Sequence, residues 1–113
     1  MVNARNVGHA YERKLAQEFR ELGFKKTITS RYGSRFMDDQ CVDLMYTQPF
    51  NIQAKRYNSA PSYFKWLNEM PKDENYNVVI HKKPNVGEVV VMSKDDFYEI
   101  VQMMIANGVI KPQ

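Results

Sequence analysis

The stretch VDLMYTQPFNIQAKRY, residues 42–57, decides how the chain folds. Two short apolar runs flank Thr47-Gln48-Pro49, so the segment reads as strands Cys41–Tyr46 and Phe50–Tyr57 joined by a turn. Side chains alternate faces along a strand, which sets Ile52 and Ala54 on one side and Asn51, Gln53 and Lys55 on the other. With Tyr46 opposite Phe50 across the turn, Asp43 stands opposite Gln53 and Lys55 lies two positions further along. Three polar groups then share one face. Directly opposed Cβ atoms are about 4.5–5.5 Å apart, close enough for two oxygen ligands to grip one cation. A hard cation such as Mg²⁺ suits the Asp43 carboxylate, the Gln53 amide oxygen and the Ala54 backbone carbonyl between them. Lys55 beside a bound water would orient attack on a phosphodiester or neutralise charge developing on the phosphate. The same residues are equally compatible with a solvated outer face or an ordinary cross-strand Asp–Lys contact.

Outward from this segment, the elements are short and closely spaced. Val7, Tyr11, Leu15, Phe19 and Leu22 recur at helical spacing over residues 6–22, and Gly23 supplies a stop. Thr27–Tyr32, rich in β-branched residues, predicts a strand that ends at Gly33. Downstream, Pro61 opens a short aromatic helix over Ser62–Met70, closed by Pro71. Tyr76–His81 and Glu88–Met92 predict a second hairpin. A final helix, Lys94–Ala106, carries Ser93 and Asp96 as a capping pair and Phe97, Ile100, Val101 and Met104 as its buried stripe. The predicted order is α β β β α β β α, in a single domain spanning residues 1–113.

Composition narrows the function classes. A hydrophobic fraction of 43% with 26% charged residues belongs to an ordinary globular protein. No apolar run is long enough to cross a bilayer and residues 1–14 lack the apolar core of a secretory signal, so the expected compartment is the cytoplasm, with no membrane partner. Cys41 is the one cysteine, and with His9 and His81 it makes no zinc pattern. Residues 1–35 carry eight Lys/Arg against three Glu, a net +5, while the remainder holds eight against ten, a net −2. A basic N-terminal third suits either a nucleic-acid surface or a solvated helix face.

Taken in order, GHAYERKLAQEFRELGF, SRYGS, VDLMY and FNIQAKRY, between Gly8 and Tyr57, resemble the archaeal-type Holliday junction resolvases, also found in phages, within the PD-(D/E)XK nuclease superfamily. The matching features are Glu12-Arg13 and Gly23-Phe24 on the first helix, Arg31 and Gly33-Ser34 near the first strand, Asp43 on the second, and Gln53-Ala54-Lys55 where the family has acidic-x-Lys. The resemblance implies an α/β fold with a restriction-endonuclease-like αβββαβ core, a mixed central sheet flanked by helices, here followed by a C-terminal helix. It implies a Mg²⁺-dependent endodeoxyribonuclease, with Mn²⁺ as substitute, that resolves four-way junctions as a homodimer in DNA recombination and repair. Glu12, Asp43 and Gln53 with Ala54 would serve the metal, and Lys55 the nucleophile. Arg13, Lys14, Arg31, Ser34, Arg35 and Arg56 are the candidate DNA contacts, since Arg forks and Ser hydroxyls suit phosphate oxygens. One departure is explicit: Gln53 is neutral where the family has Glu, which lowers the charge of the site. A DNA-binding module with a weakened site and a restriction or repair nuclease acting on other DNA are therefore the alternatives. The aromatics Tyr57, Tyr63, Phe64 and Trp66 exceed what one short helix buries on a single face.

Overall fold

The computed structural model describes residues 4–113. The helical repeat of Tyr11, Leu15, Ala16 and Phe19 forms α1, Ala4–Leu22. It ends at Gly23, whose φ of 125° lets the Phe24 N–H turn back to the Phe19 carbonyl at 3.0 Å. Then follow β1 (Ile28–Thr29), two short helices α2 (Ser30–Gly33) and α3 (Arg35–Asp39), and β2 (Leu44–Met45). The second half comprises β3 (Phe50–Arg56), α4 (Tyr63–Asn68), β4 (Tyr76–Lys83), β5 (Gly87–Val91) and α5 (Lys94–Ala106). No helix among the described residues is long and apolar enough to cross a membrane.

β3 and β4 run parallel, with Gln53 beside Val79 and Lys55 beside His81, and β5 returns antiparallel to β4. The parallel step requires a crossover, which α4 provides. β1 and β2 form a separate antiparallel pair, Ile28 with Met45 and Thr29 with Leu44. Asp43 joins the two sheets: its carbonyl accepts from the Ser30 N–H at 2.8 Å and its N–H donates to the Ile52 carbonyl at 2.7 Å.

Strand alternation sorts the core into two sides. Leu44, Ile52, Tyr76 and Val78 pack under Tyr11, Leu15 and Ala16 of α1, with Phe50, Ala54 and Ile80 at the margin. On the opposite side Val79 packs with Trp66 and Met70 beneath α4. Leu44 and Ile52 are essentially fully buried, and each such side chain contributes about 1.5–3 kcal/mol. Tyr11 adds a tie between distant segments by donating to Glu88 at 2.9 Å.

The α/β class, the mixed sheet, the flanking helices and the C-terminal helix agree with the sequence reading. Four details differ. The strand expected over Thr27–Tyr32 stops at Thr29, and the chain enters α2 and α3. Ser34 caps α3 by accepting from the Met37 N–H, and Gly33 lets α2 press on the β1–β2 pair. A Cβ at Gly33 would lie 2.5 Å from Met45 Sδ and 2.7 Å from Ile28 Cδ1. The strand expected over Cys41–Tyr46 shrinks to two residues, because Cys41 and Tyr46 both take left-handed backbone conformations (φ 61° and 63°) that turn the chain. The hairpin register that set Asp43 opposite Gln53 is not formed. Thr47 closes the connection instead, its carbonyl accepting from the Phe50 N–H and its hydroxyl donating to the Phe50 carbonyl. Finally, α5 begins and ends as expected, with Ser93 accepting from the Asp96 N–H at 3.1 Å, but none of its residues is fully buried. It meets the sheet at one margin through Ile100 and leaves an apolar groove of about 510 Å³ between Phe19, Phe24, Val78 and Phe97.

Candidate active site

The site is built where β3 leaves the β2 segment. In an extended strand the N–H and C=O of one residue leave the same edge, so Ile52 and Ala54 present their backbone groups toward Asp43. Asp43 uses that edge twice. Its N–H takes the Ile52 carbonyl, and its carboxylate Oδ2 accepts from the Ala54 N–H at 2.8 Å. The side chain thus stands where the next carbonyl of a ladder would stand, and the Ala54 carbonyl emerges on the same side as the carboxylate.

Burial pushes the Asp43 carboxyl up from the ordinary 3.8 to about 7. The Ala54 N–H opposes that rise, the charges of Glu12 and Asp38 add to it, and Lys55 opposes it. Four of these groups come from separate parts of the chain: Glu12 from α1, Asp38 from α3, Asp43 from the residue just before β2 and Lys55 from β3. Arg31 of α2 covers Glu12, its Nη2 lying 3.0 Å from Oε1 and 3.2 Å from Oε2. Glu12 is only 7% exposed, so this pair is more than a surface salt bridge.

Gln53 sits on the α4 side of β3. It is 1% exposed, and its Nε2 donates to the Cys41 carbonyl at 3.3 Å and the Trp66 carbonyl at 3.2 Å. Its Oε1 has no hydrogen-bond partner, one of two such buried side-chain atoms among the described residues. A buried acceptor left unmatched costs about 1–3 kcal/mol, which a donor or a cation would recover. Lys55 shares that side of the strand, with Nζ 5.3 Å from the centre of the Trp66 ring. His81, the neighbour of Lys55 on β4, completes an aromatic box. Its Nε2 faces the Tyr57 carbonyl at 2.9 Å, its Nδ1 the Tyr63 hydroxyl at 3.0 Å, and its ring meets Trp66 and Tyr63 edge-on. A carbonyl only accepts, so Nε2 carries a proton, and in the neutral ring Nδ1 accepts from Tyr63.

The structure therefore brings Asp43 and Ala54 into contact and sets Glu12 and Lys55 within electrostatic reach of Asp43. It withholds the direct Asp43–Gln53 opposition, because the Gln53 amide is anchored under α4. Among the candidate DNA contacts, Arg13, Lys14 and Arg56 are exposed, Arg35 makes only a loose 3.9 Å pair with Asp39, Ser34 caps α3, and Arg31 is committed to Glu12. Of the four clustered aromatics, Trp66 is buried and Phe64 is 85% exposed. Sequence reasoning missed Trp66 and His81 as neighbours of Lys55, since no local pattern states that β4 lies parallel beside β3. The charge of Asp38 on α3 also acts on Asp43. A hollow of about 760 Å³ lies between α4 and the start of α5 and includes none of Glu12, Asp43, Gln53 or Lys55.

Comparison with protein-family models, with curated proteins and with solved structures finds no match to this chain.

Proposed function

We propose that this chain is a metal-dependent, structure-selective DNA endonuclease with a restriction-endonuclease-like core, hydrolysing phosphodiesters at four-way junctions. The observation that carries this reading is the Asp43 carboxylate held against the Ala54 N–H with Glu12 and Lys55 close enough to alter its protonation. Such a cluster of opposed titratable groups from four parts of the chain is expensive to assemble and typical of a working site.

The donors are consistent with a hard cation. All are oxygens: the Asp43 carboxylate, the Ala54 carbonyl and Glu12, with the unmatched Gln53 Oε1 nearby in sequence. Among the described residues no group of three or more His, Cys, Asp and Glu side chains is disposed to bind a metal, so amide and carbonyl oxygens would make up the set. Asp43 is a buried carboxyl whose ionised form a cation would stabilise, while the orphaned Gln53 Oε1 lies on the α4 side of β3. Bound there, Mg²⁺ or Mn²⁺ would polarise a phosphate oxygen and lower the pKa of a water. The chain's own residues do the rest: Asp43 ionises, Lys55 offers positive charge to the reacting phosphate, and Arg31 holds Glu12 in place. The exposed Arg13, Lys14, Arg35 and Arg56 supply backbone contacts that position DNA without reading sequence. A homodimer would place two such sites on the two strands of a junction. Exposed Val89, Val90, Phe97, Tyr98 and Met103 on β5 and α5 give it an apolar surface.

A second reading, a DNA-binding module with a weakened site, is favoured by two observations. Gln53 is neutral with its amide anchored away from Asp43, and Glu12 is already neutralised by Arg31. Labelled four-way junction and matched linear duplex, each incubated with and without Mg²⁺ or Mn²⁺, separate the readings. Junction-selective, metal-dependent cutting lost in Asp43→Asn supports the nuclease. Metal-independent binding with no cutting supports the module, and equal cutting of linear duplex assigns a different DNA substrate.

A further inference from the structure

Tyr32 on α2 is 86% exposed, although α2 is tied to the strands beneath it. Ser30 donates its N–H to the Asp43 carbonyl, the Ser34 N–H closes the turn onto the Ser30 carbonyl, and Gly33 lies against the Ile28 and Met45 side chains. The ring is thus presented to solvent on a fixed base. It lines two hollows of about 320 and 270 Å³ that also share Arg13 and Thr29. One hollow continues to His9, Glu12 and Arg31, and the other to Ala16, Arg20 and Ile28. An aromatic face and a guanidinium together bind a flat π-system, and the further cationic groups suit the phosphate attached to it. In duplex DNA each base face is covered by its neighbours, so a lone protein ring stacks on a base that is unpaired or splayed from its helix.

We propose that Tyr32 and Arg13 form a stacking clamp for one unpaired nucleobase next to the Glu12 site, and that this clamp selects branched over linear DNA. The inference deepens the nuclease reading and rests on it for the identity of the ligand as DNA. The hollow on this side of Tyr32 also reaches Glu12, whose charge acts on Asp43.

The test is made in EDTA, so that binding is read apart from cleavage. Two probes are used: a branched DNA with a single unpaired 2-aminopurine at its branch point, and a linear duplex with the same base paired. Wild type quenches the unpaired probe on binding. Tyr32→Ala loses the quench and binds the branched probe roughly 10-fold more weakly, within the roughly 5- to 150-fold that base–aromatic stacking is worth. Its affinity for the linear duplex stays within about twofold. Tyr32→Phe restores both readouts, and Phe64→Ala, which removes an exposed ring on α4, changes neither. The clamp is overturned if Tyr32→Ala keeps quench and affinity, or if it weakens branched and linear binding alike. Wild type that binds neither probe overturns the clamp and the nuclease together. Tyr32-dependent binding without any Mg²⁺ or Mn²⁺ cutting overturns the nuclease alone, and cutting of branched DNA that Tyr32→Ala leaves unchanged overturns the clamp alone.

Discussion

Replacing Asp43 with Asn should make the metal-free protein more stable while abolishing its activity, and the gain in stability should open above about pH 4 and be complete above about pH 7. The Asp43 carboxyl titrates near 7 in the folded chain against an ordinary 3.8, chiefly because it is buried. A group whose folded pKa lies above its unfolded value favours folding fully below the unfolded pKa, and that contribution is lost as pH rises through the folded one. Stability of the wild type therefore falls between about pH 4 and about pH 7 and then levels off. A shift of about three units corresponds to at most about 4 kcal/mol, at about 1.4 kcal/mol per unit. Asn retains an oxygen to accept from the Ala54 N–H and carries no charge, so it escapes the fall. Urea unfolding in EDTA, from about pH 4 to about pH 9, should show Asp43→Asn matching wild type at the acid end. Above about pH 7 it should exceed wild type by about 2–4 kcal/mol. Saturating Mg²⁺ should close part of the gap, because a cation on the ionised carboxylate competes with its proton. A pH-independent difference, or a variant less stable than wild type at about pH 8, would refute the argument.

Gln53→Glu exchanges a buried amide that donates to two carbonyls for a carboxylate that faces them. In EDTA it should lose about 3 kcal/mol or more, read from urea midpoints, and regain much of that with Mg²⁺; absence of metal rescue would remove Gln53 from the cation site. Arg31→Ala strands the buried Glu12 carboxylate and should cost about 1.5–3 kcal/mol. A double-mutant cycle with Glu12→Gln should show most of that as coupling, and additivity would deny the pair its role. Phe97→Glu places a charge on the exposed apolar surface of α5, and sedimentation should show it shifting a wild-type dimer toward monomer; a wild type that is itself monomeric at micromolar concentration rejects the dimer.

The long helices, the β4–β5 hairpin and the two-faced character of β3 were legible because each rests on local periodicity. Tyr11, Leu15 and Phe19 recur every three to four residues, and Ile52 and Ala54 alternate with Gln53 and Lys55. The short elements between Thr27 and Tyr46 were not, since β-branched Thr27-Ile28-Thr29 reads as strand however soon it ends. What stops it is a glycine set against Met45, a contact made only in the folded chain, together with a local serine cap on α3. The register around Asp43 was misread for a related reason. Alternation assigns faces within a strand but does not say which residues of two strands meet, and left-handed turns at Cys41 and Tyr46 removed the ladder on which that pairing depended.

By itself, then, the sequence determined that an aspartate and a lysine would flank the same β3 segment in a basic, mixed α/β chain, because residue type and two-residue alternation are local properties. Only the tertiary structure decided that Asp43 reaches β3 through the Ala54 N–H, that Arg31 covers Glu12, and that Trp66 and His81 frame Lys55. Those contacts join residues 11–26 positions apart in the chain. They are fixed by how α1, α2 and α4 pack on the sheet, which no local pattern encodes.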